Sequence, residues 1–293
     1  MNLQLLWSLI KDSINAWIDD YAPSMGAALA YYTVFSLAPL LLIVIAVAGA
    51  VFGQDAVRGE IFAQLSGQLG PEIAAGVQQL LKSASEPRKG FLSGLLGVAL
   101  LIVGATTVFA ELQSDLDRIW RVEAAPMSGW LSFLRARFLS FGLVLGLGFL
   151  MLVSLVIAAA LTALGKWYGS SFAGWEVILH TINTAVSIAL SAALFAMIYK
   201  FMPRASVAWR DVGVGATVTA LLFELGKFLI SLYIGEVGLT SGFGAAGSLV
   251  LLIVWVYYSA QIFLLGAEFT WVYARTCGSH SGRGAPAPPM LHR

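Results

Sequence analysis

The sequence predicts an all-α polytopic membrane protein, a six-transmembrane-helix bundle with amphipathic interfacial helices. Three observations carry this reading. Of 293 residues, 59% are hydrophobic and only 11% charged, against roughly 25% charged in an ordinary soluble domain. The mean hydropathy is +0.83. Five stretches carry no charged residue at all: Tyr21–Gln54, Gly90–Ala110, Phe138–Gly165, Val177–Tyr199 and Val237–Ala267. Each exceeds the ~18–20 residues that cross a ~30 Å hydrocarbon layer. A soluble chain of this size has no core large enough to hide so much apolar surface, which excludes the open α/β enzyme folds.

Residues 3–18 place Trp7, Ile10, Ile14 and Trp17 at helical spacing, with Lys11, Asp12 and Asn15 opposite. That suits a short helix on the membrane surface, or equally a helix packed on the bundle. The apolar start at Leu3–Ile10 has no basic residue before it, so it is not read as a secretory signal. The first uncharged run, 34 residues, would make a helix of ~51 Å, too long for one simple span. Pro39, in SLAPLLLI, is expected to kink or break it, because proline lacks the donor N–H and clashes with the preceding turn. The crossing is therefore placed at about 31–53.

Residues 54–90 are polar enough to leave the bilayer. Val57, Ile61, Phe62, Leu65 and Leu69 form one apolar stripe, and Ile73, Val77, Leu80 and Leu81 a second. Gly70-Pro71 between them is a stop-then-start signal. Two amphipathic helices, resting on the membrane surface or the bundle, are expected. The remaining spans fall at about 91–111, 138–163, 177–199, 212–235 and 246–272, giving one membrane domain over 1–274. DLDRIWRV extends the second span into water. After Ala274, CGSHSGRGAPAPPMLHR has the Gly/Ser/Pro composition of a disordered cytoplasmic tail over 275–293.

Orientation follows from the basic residues. With the N-terminus inside, the cytoplasmic segments hold eleven Lys and Arg (Lys11, then Arg118, Arg121, Arg135 and Arg137, then Lys200, Arg204 and Arg210, then Arg275, Arg283 and Arg293). The outer loops hold five: Arg58, Lys82, Arg88, Lys89 and Lys166. The positive-inside rule puts both termini in the cytoplasm.

Glu224 and Lys227 lie mid-span in LLFELGKFLISLY, where each ionised group costs roughly 2.5–3.5 kcal/mol on insertion scales. Their spacing of three allows a pair that only satisfies itself, or a polar path and substrate anchor inside the bundle. Glu268, near the cytoplasmic end of the last span, fits a polar entrance or a snorkelling helix end. Glu111, Asp115, Arg118 and Arg121 recur at helical spacing, either as a charged mouth or as surface pairs worth ~0.2–0.5 kcal/mol each. His180 and Asn183 share a face of the fourth span. Gly142 and Gly146 form a GxxxG pair, and Gly242, Gly244 and Gly247 crowd the entry to the last span. Such glycines permit close helix approach, within or between chains, so a homo-oligomer is open; the Gly-rich entry, like Pro39, is also a candidate gate.

No catalytic residue is assigned. HExxH, CxxC, GxSxG and GxxxxGK[ST] are all missing, Cys277 is the lone cysteine, and the histidines are scattered. No metal site and no cofactor are expected. A net charge of +1 offers no basic excess for nucleic acid.

The stretches AALAYYTVFSLAPLLLI (27–43), DLDRIWRV (115–122), YKFMPRASVAWRDVGVGATVTALLFELGKFLISLY (199–233) and GAAGSLVLLIVWVYYSAQIFLLGAE (244–268) resemble, in order, signatures of the YihY/virulence factor BrkB family of bacterial inner-membrane proteins. The resemblance runs from about residue 7 to 274. It implies a six-span bundle with cytoplasmic termini in the bacterial inner membrane. Some members once carried the label ribonuclease BN, and the virulence name comes from serum resistance. Neither label specifies a chemistry, and related members have been connected with export of lipid precursors or small solutes. The positions matching the family's motifs are Tyr31, Pro39, Arg118, Trp120, Pro203, Glu224, Lys227, Tyr233, Trp255, Tyr257, Gly266 and Glu268. The expected function is transport or export of a small solute or lipid-like molecule, with the lipid bilayer as partner. A non-transporting envelope scaffold and a membrane-bound ribonuclease are the competing readings.

Overall fold

The computed structural model describes residues 3–85, 107–122, 175–237 and 245–281. Among these, every regular element is an α-helix: α1 (Leu3–Asp19), α2 (Ala22–Phe52), α3 (Gln54–Leu69), α4 (Pro71–Ser85), α5 (107–119), α6 (Trp175–Phe201), α7 (Trp209–Val237) and α8 (Ala245–Thr276). Four segments are long and apolar enough to cross a membrane: Ala22–Ala46, Thr184–Phe201, Trp209–Ile230 and Leu249–Thr276. The spans expected at 138–163 and over most of 91–111 lie outside the described residues, as do Gly142, Gly146, Gly242, Gly244 and the tail beyond 281.

The first hairpin is set by two residues. α1 ends at Asp19, and Tyr21 takes a left-handed conformation (φ 57°) that turns the chain into α2. Pro23 sits in the opening turn of α2, where a missing N–H costs nothing. The helix then runs on through Pro39 to Phe52, so the expected break at that proline does not occur. Proline is tolerated inside membrane helices where neighbouring groups re-satisfy the freed carbonyl. Gly53 (φ 88°) and Gly70 (φ 91°) form the one-residue junctions on either side of α3, in backbone that a Cβ would strain.

Among the described helices α8 is central and packs against α1, α2, α4 and α7, while α6 packs along α7 and reaches α8 through Phe195 and Tyr199. One core gathers Ala22, Met25 and Leu29 of α2 with Leu116 and Ile119 of α5, Phe195 and Tyr199 of α6, Val212 and Ala216 of α7, and Phe263 and Leu264 of α8. A second joins Val34, Ile73, Val77, Leu251 and Leu252. The apolar stripe of α4 thus faces the bundle and not a membrane surface. The stripe of α3 is only half-buried where it is described.

Between α7 and α8 the fit is close and polar. Thr219 Oγ1 donates to Gly215 O at 2.7 Å and Thr270 Oγ1 to Gly266 O at 2.7 Å. Each glycine faces the threonine of the other helix: a methyl on Gly215 would collide with Thr270, and one on Gly266 with Thr219 and the Tyr199 hydroxyl. The Tyr199 hydroxyl donates to Phe263 O at 2.7 Å and lies 3.1 Å from Thr219 Oγ1. In lipid, where apolar burial gives little drive between helices, such small-residue and hydrogen-bonded seams supply the association.

α1 has three faces. Leu9, Ser13 and Ala16 are buried, with Leu9 and Ala16 clustered with Val272 of α8. Leu3, Leu6, Trp7, Ile10, Ile14 and Ile18 are exposed on a second face, and Gln4, Lys11, Asp12, Asn15 and Asp19 are exposed on the third.

Candidate functional site

Five chain segments meet at one end of the bundle: the α1–α2 turn, the end of α5, the α6–α7 connection, the start of α7 and the end of α8. α5 stops in a Schellman-type turn, with Arg121 N–H donating to Arg118 O at 3.0 Å and Val122 N–H to Asp117 O at 2.9 Å. Arg121 occupies the left-handed position of that turn (φ 53°), where glycine is usual. Its guanidinium is ion-paired with Asp20 Oδ1 and lies 5.3 Å from the centre of the Trp271 ring. Asp20 is 2% exposed and directly precedes Tyr21, the other non-glycine residue with positive φ among those described. Strained backbone of this kind, costing of order 1–3 kcal/mol, persists where the surroundings over-determine it and gathers at functional sites.

The third member is Glu268 of α8, which is 0% exposed. Its carboxyl stands within hydrogen-bonding reach of the Asp20 carboxyl, with Arg121 and Asp19 as the other charged groups acting on it. Among the described residues, neither Glu268 oxygen nor Asp20 Oδ2 receives a hydrogen bond from a donor. Two enclosed carboxyl groups therefore share one guanidinium. Aromatic rings flank the cluster: Arg118 lies 6.0 Å from the Tyr21 ring and Arg275 4.8 Å from that of Trp271.

α5 adds a third buried carboxyl. Asp115 is buried beside Leu116, and its pKa is raised from an ordinary 3.8 to about 7; burial is the main cause, the nearby Glu111 carboxylate adds to it, and Arg118 opposes it. Asp117 is also raised by burial, against which the Arg204 backbone N–H and side chain act. Asp117 Oδ1 accepts from Arg204 N–H at 2.7 Å, and Gln113 Nε2 donates to Met202 O at 3.1 Å, which fastens α5 to the α6–α7 connection. Asp211, at the start of α7, accepts from Ser279 N–H at 3.1 Å and Ser279 Oγ at 2.5 Å, so the chain after α8 folds back over the same end.

With this geometry in view, similarity to known proteins decides the family. The model of the Virulence factor BrkB family matches residues 13–289. The chain belongs to that family. A UPF0761 membrane protein of Pseudomonas aeruginosa (strain LESB58) is 28% identical over 254 residues, 86% of this chain and 59% of the relative. One of Ralstonia nicotianae is 29% identical over 91% of the chain and 58% of the relative. One of Verminephrobacter eiseniae is 30% identical over 86% of the chain and 58% of the relative. The chain thus spans just under three-fifths of the length of these three relatives. No solved structure matches it.

The BrkB-family chain distributes its sequence-predicted residues over two levels. Glu224 and Lys227 pair with each other at 2.7 Å on α7, both half-buried, with Lys227 Nζ 6.0 Å from the Phe223 ring. The antiparallel seam sets Thr219 against Gly266, and Gly226 against Ile262 and Tyr258. The Glu224–Lys227 pair therefore stands beside residues 258–262, about 9–15 Å along the axis from Glu268 at 1.5 Å per residue. The fold does not bring that pair to Glu268. Glu111 is half-buried on α5 and acts on Asp115. Gly247 is buried in the first turn of α8. Asp20 is a site residue that the sequence alone does not single out. Its one signal is its place as the last charge before the first long apolar run, next to a proline-started helix.

Proposed function

We propose that the protein is a transporter or exporter of a small solute or lipid-like molecule in the bacterial inner membrane, with both termini cytoplasmic. The observation that carries this reading is the enclosed Asp20–Arg121–Glu268 cluster where α2, α5 and α8 meet. Charges taken out of water inside a membrane bundle cost several kcal/mol each, and they mark substrate and ion pathways more often than they mark stability. The cluster forms the cytoplasmic mouth of the path, and Glu224–Lys227 a second polar station deeper in the bundle.

Charge distribution supports the orientation. Arg118, Arg121, Lys200, Arg204, Arg210 and Arg275 all belong to segments at the end of the bundle that holds this cluster, which the positive-inside rule puts in the cytoplasm. The function needs no catalytic residue. An envelope scaffold is the second reading, favoured by the exposed apolar face of α1.

The test is efflux from proteoliposomes loaded with a cell extract of solutes and lipids. The wild-type protein should release a defined compound, and Glu224→Gln/Lys227→Met should stay folded and release it more slowly. Equal release from the folded double variant would remove that pair from the path. No selective release by the wild-type protein would favour the scaffold.

A further inference from the structure

Charge balance at the cluster leads further. Two carboxyl groups, Asp20 and Glu268, are 2% and 0% exposed, and one guanidinium, that of Arg121, is paired to the first of them. Ionised carboxylates only accept hydrogen bonds, so two of them within hydrogen-bonding reach of each other need a proton between them. A buried like-charge pair at that separation cannot keep both charges.

Among the described residues the surroundings supply no other compensation. α1 brings Asp19, a further negative group. From α5, Arg118 is turned to Tyr21, and from α7, Asp211 is engaged by Ser279. α4 packs at the other end of α8, against Leu251 and Leu252. Among the described residues no group of three His, Cys, Asp or Glu side chains is placed to hold a metal ion. Among the described residues both Glu268 oxygens and Asp20 Oδ2 lack a donor, so the unfilled valence of the site lies at this carboxyl pair.

We infer that the Asp20–Glu268 carboxyl pair is a proton-binding site, holding one proton between the two groups while Arg121 balances the remaining charge. The pair joins α8 to the α1–α2 turn only while the proton is present. Losing it leaves two negative groups on one guanidinium and pushes α8 away from that turn. Binding and release of the proton thus change how the cytoplasmic end is held shut. The role of this proton as the coupling ion rests on the transport reading; its presence in the pair does not.

Infrared difference spectroscopy of the full-length protein in lipid nanodiscs, in a D115N background at neutral pH, tests the site. The expected result is a protonated-carboxyl C=O band that shifts in deuterium oxide and disappears in both E268Q and D20N. It should persist in E224Q, and in E268D it should persist at a shifted frequency, which keeps the test usable if the amide variant does not fold. A band that survives in folded E268Q and D20N overturns the proposal. So does a missing band together with carboxylate bands that respond to sodium, which would make the pair a metal-cation site. If the band behaves as expected but no compound is transported, the proton site stands and the transport reading fails.

Discussion

Arg121 and Asp20 are ion-paired across a sequence separation of 101 residues, and Glu268 rests its carboxyl against the same Asp20. Three helices are tied at one point by side chains that none of them could satisfy alone. Removing the guanidinium strands two enclosed carboxyls, which in buried pairs costs about 3–5 kcal/mol. R121M should therefore lower the thermal unfolding temperature sharply in detergent. R204M, which loses the half-exposed 3.4 Å pair with Asp117, should lose at most about 1 kcal/mol from that pair. Equal losses would deny the cluster its special weight.

Asp115 makes stability depend on pH. Its carboxyl titrates near 3.8 unfolded and about 7 folded. Between those values the unfolded chain ionises first, so it holds fewer protons than the folded chain and stability falls as pH rises. D115N should flatten that decline and stabilise the protein above pH 7, on the order of 2–4 kcal/mol. Unfolding temperatures measured across this window check the sign. A D115N curve that still tracks the wild type would contradict it.

The seam between α7 and α8 predicts a steric result. G266A puts a methyl into Thr219 Oγ1 and the Tyr199 hydroxyl, and overpacking of this kind costs about 1–3 kcal/mol. T219A should give back part of that loss in the double variant, at the expense of the Thr219 hydrogen bonds. Melting temperatures of the two single variants and the double variant, combined as a cycle, measure the coupling.

α1 predicts a membrane effect. Its exposed face of Leu3, Leu6, Trp7, Ile10, Ile14 and Ile18 lies apart from the buried Leu9 face. As an interfacial helix it would sink that apolar face into the headgroup boundary. W7S/I10S/I14S should leave the fold intact and abolish quenching of a residue-6 fluorophore by lipid-borne quenchers. Unchanged quenching would show that this face does not hold the helix at the lipid, and no quenching in the wild type would place the face against something other than lipid.

Much of this fold is legible in the sequence because uncharged runs and helix periodicity are local. α6, α7 and α8 each cover the apolar segment that predicts them, and Gly70-Pro71 marks where α3 gives way to α4. Pro39 does not break α2, because a single proline costs one hydrogen bond, which a long packed membrane helix absorbs. The site was only half legible. Glu224 and Lys227 announce themselves by spacing on one helix, and Glu268 by its place inside an apolar run. Asp20, Arg121 and Asp115 look like ordinary flanking charges until the fold encloses them. Their burial depends on how α1, α2, α5 and α8 meet, which no local pattern encodes.

The most direct test of the central claim compares a deletion strain carrying wild-type protein, E268Q or nothing, at matched membrane levels. Mass spectrometry of retained and released solutes and lipids is the readout. A transport path through the enclosed cluster predicts one compound that accumulates inside both the empty and the E268Q cells and is cleared by the wild type. If wild type and E268Q clear the same compound equally, or no compound differs among the three strains, the path does not run through Glu268.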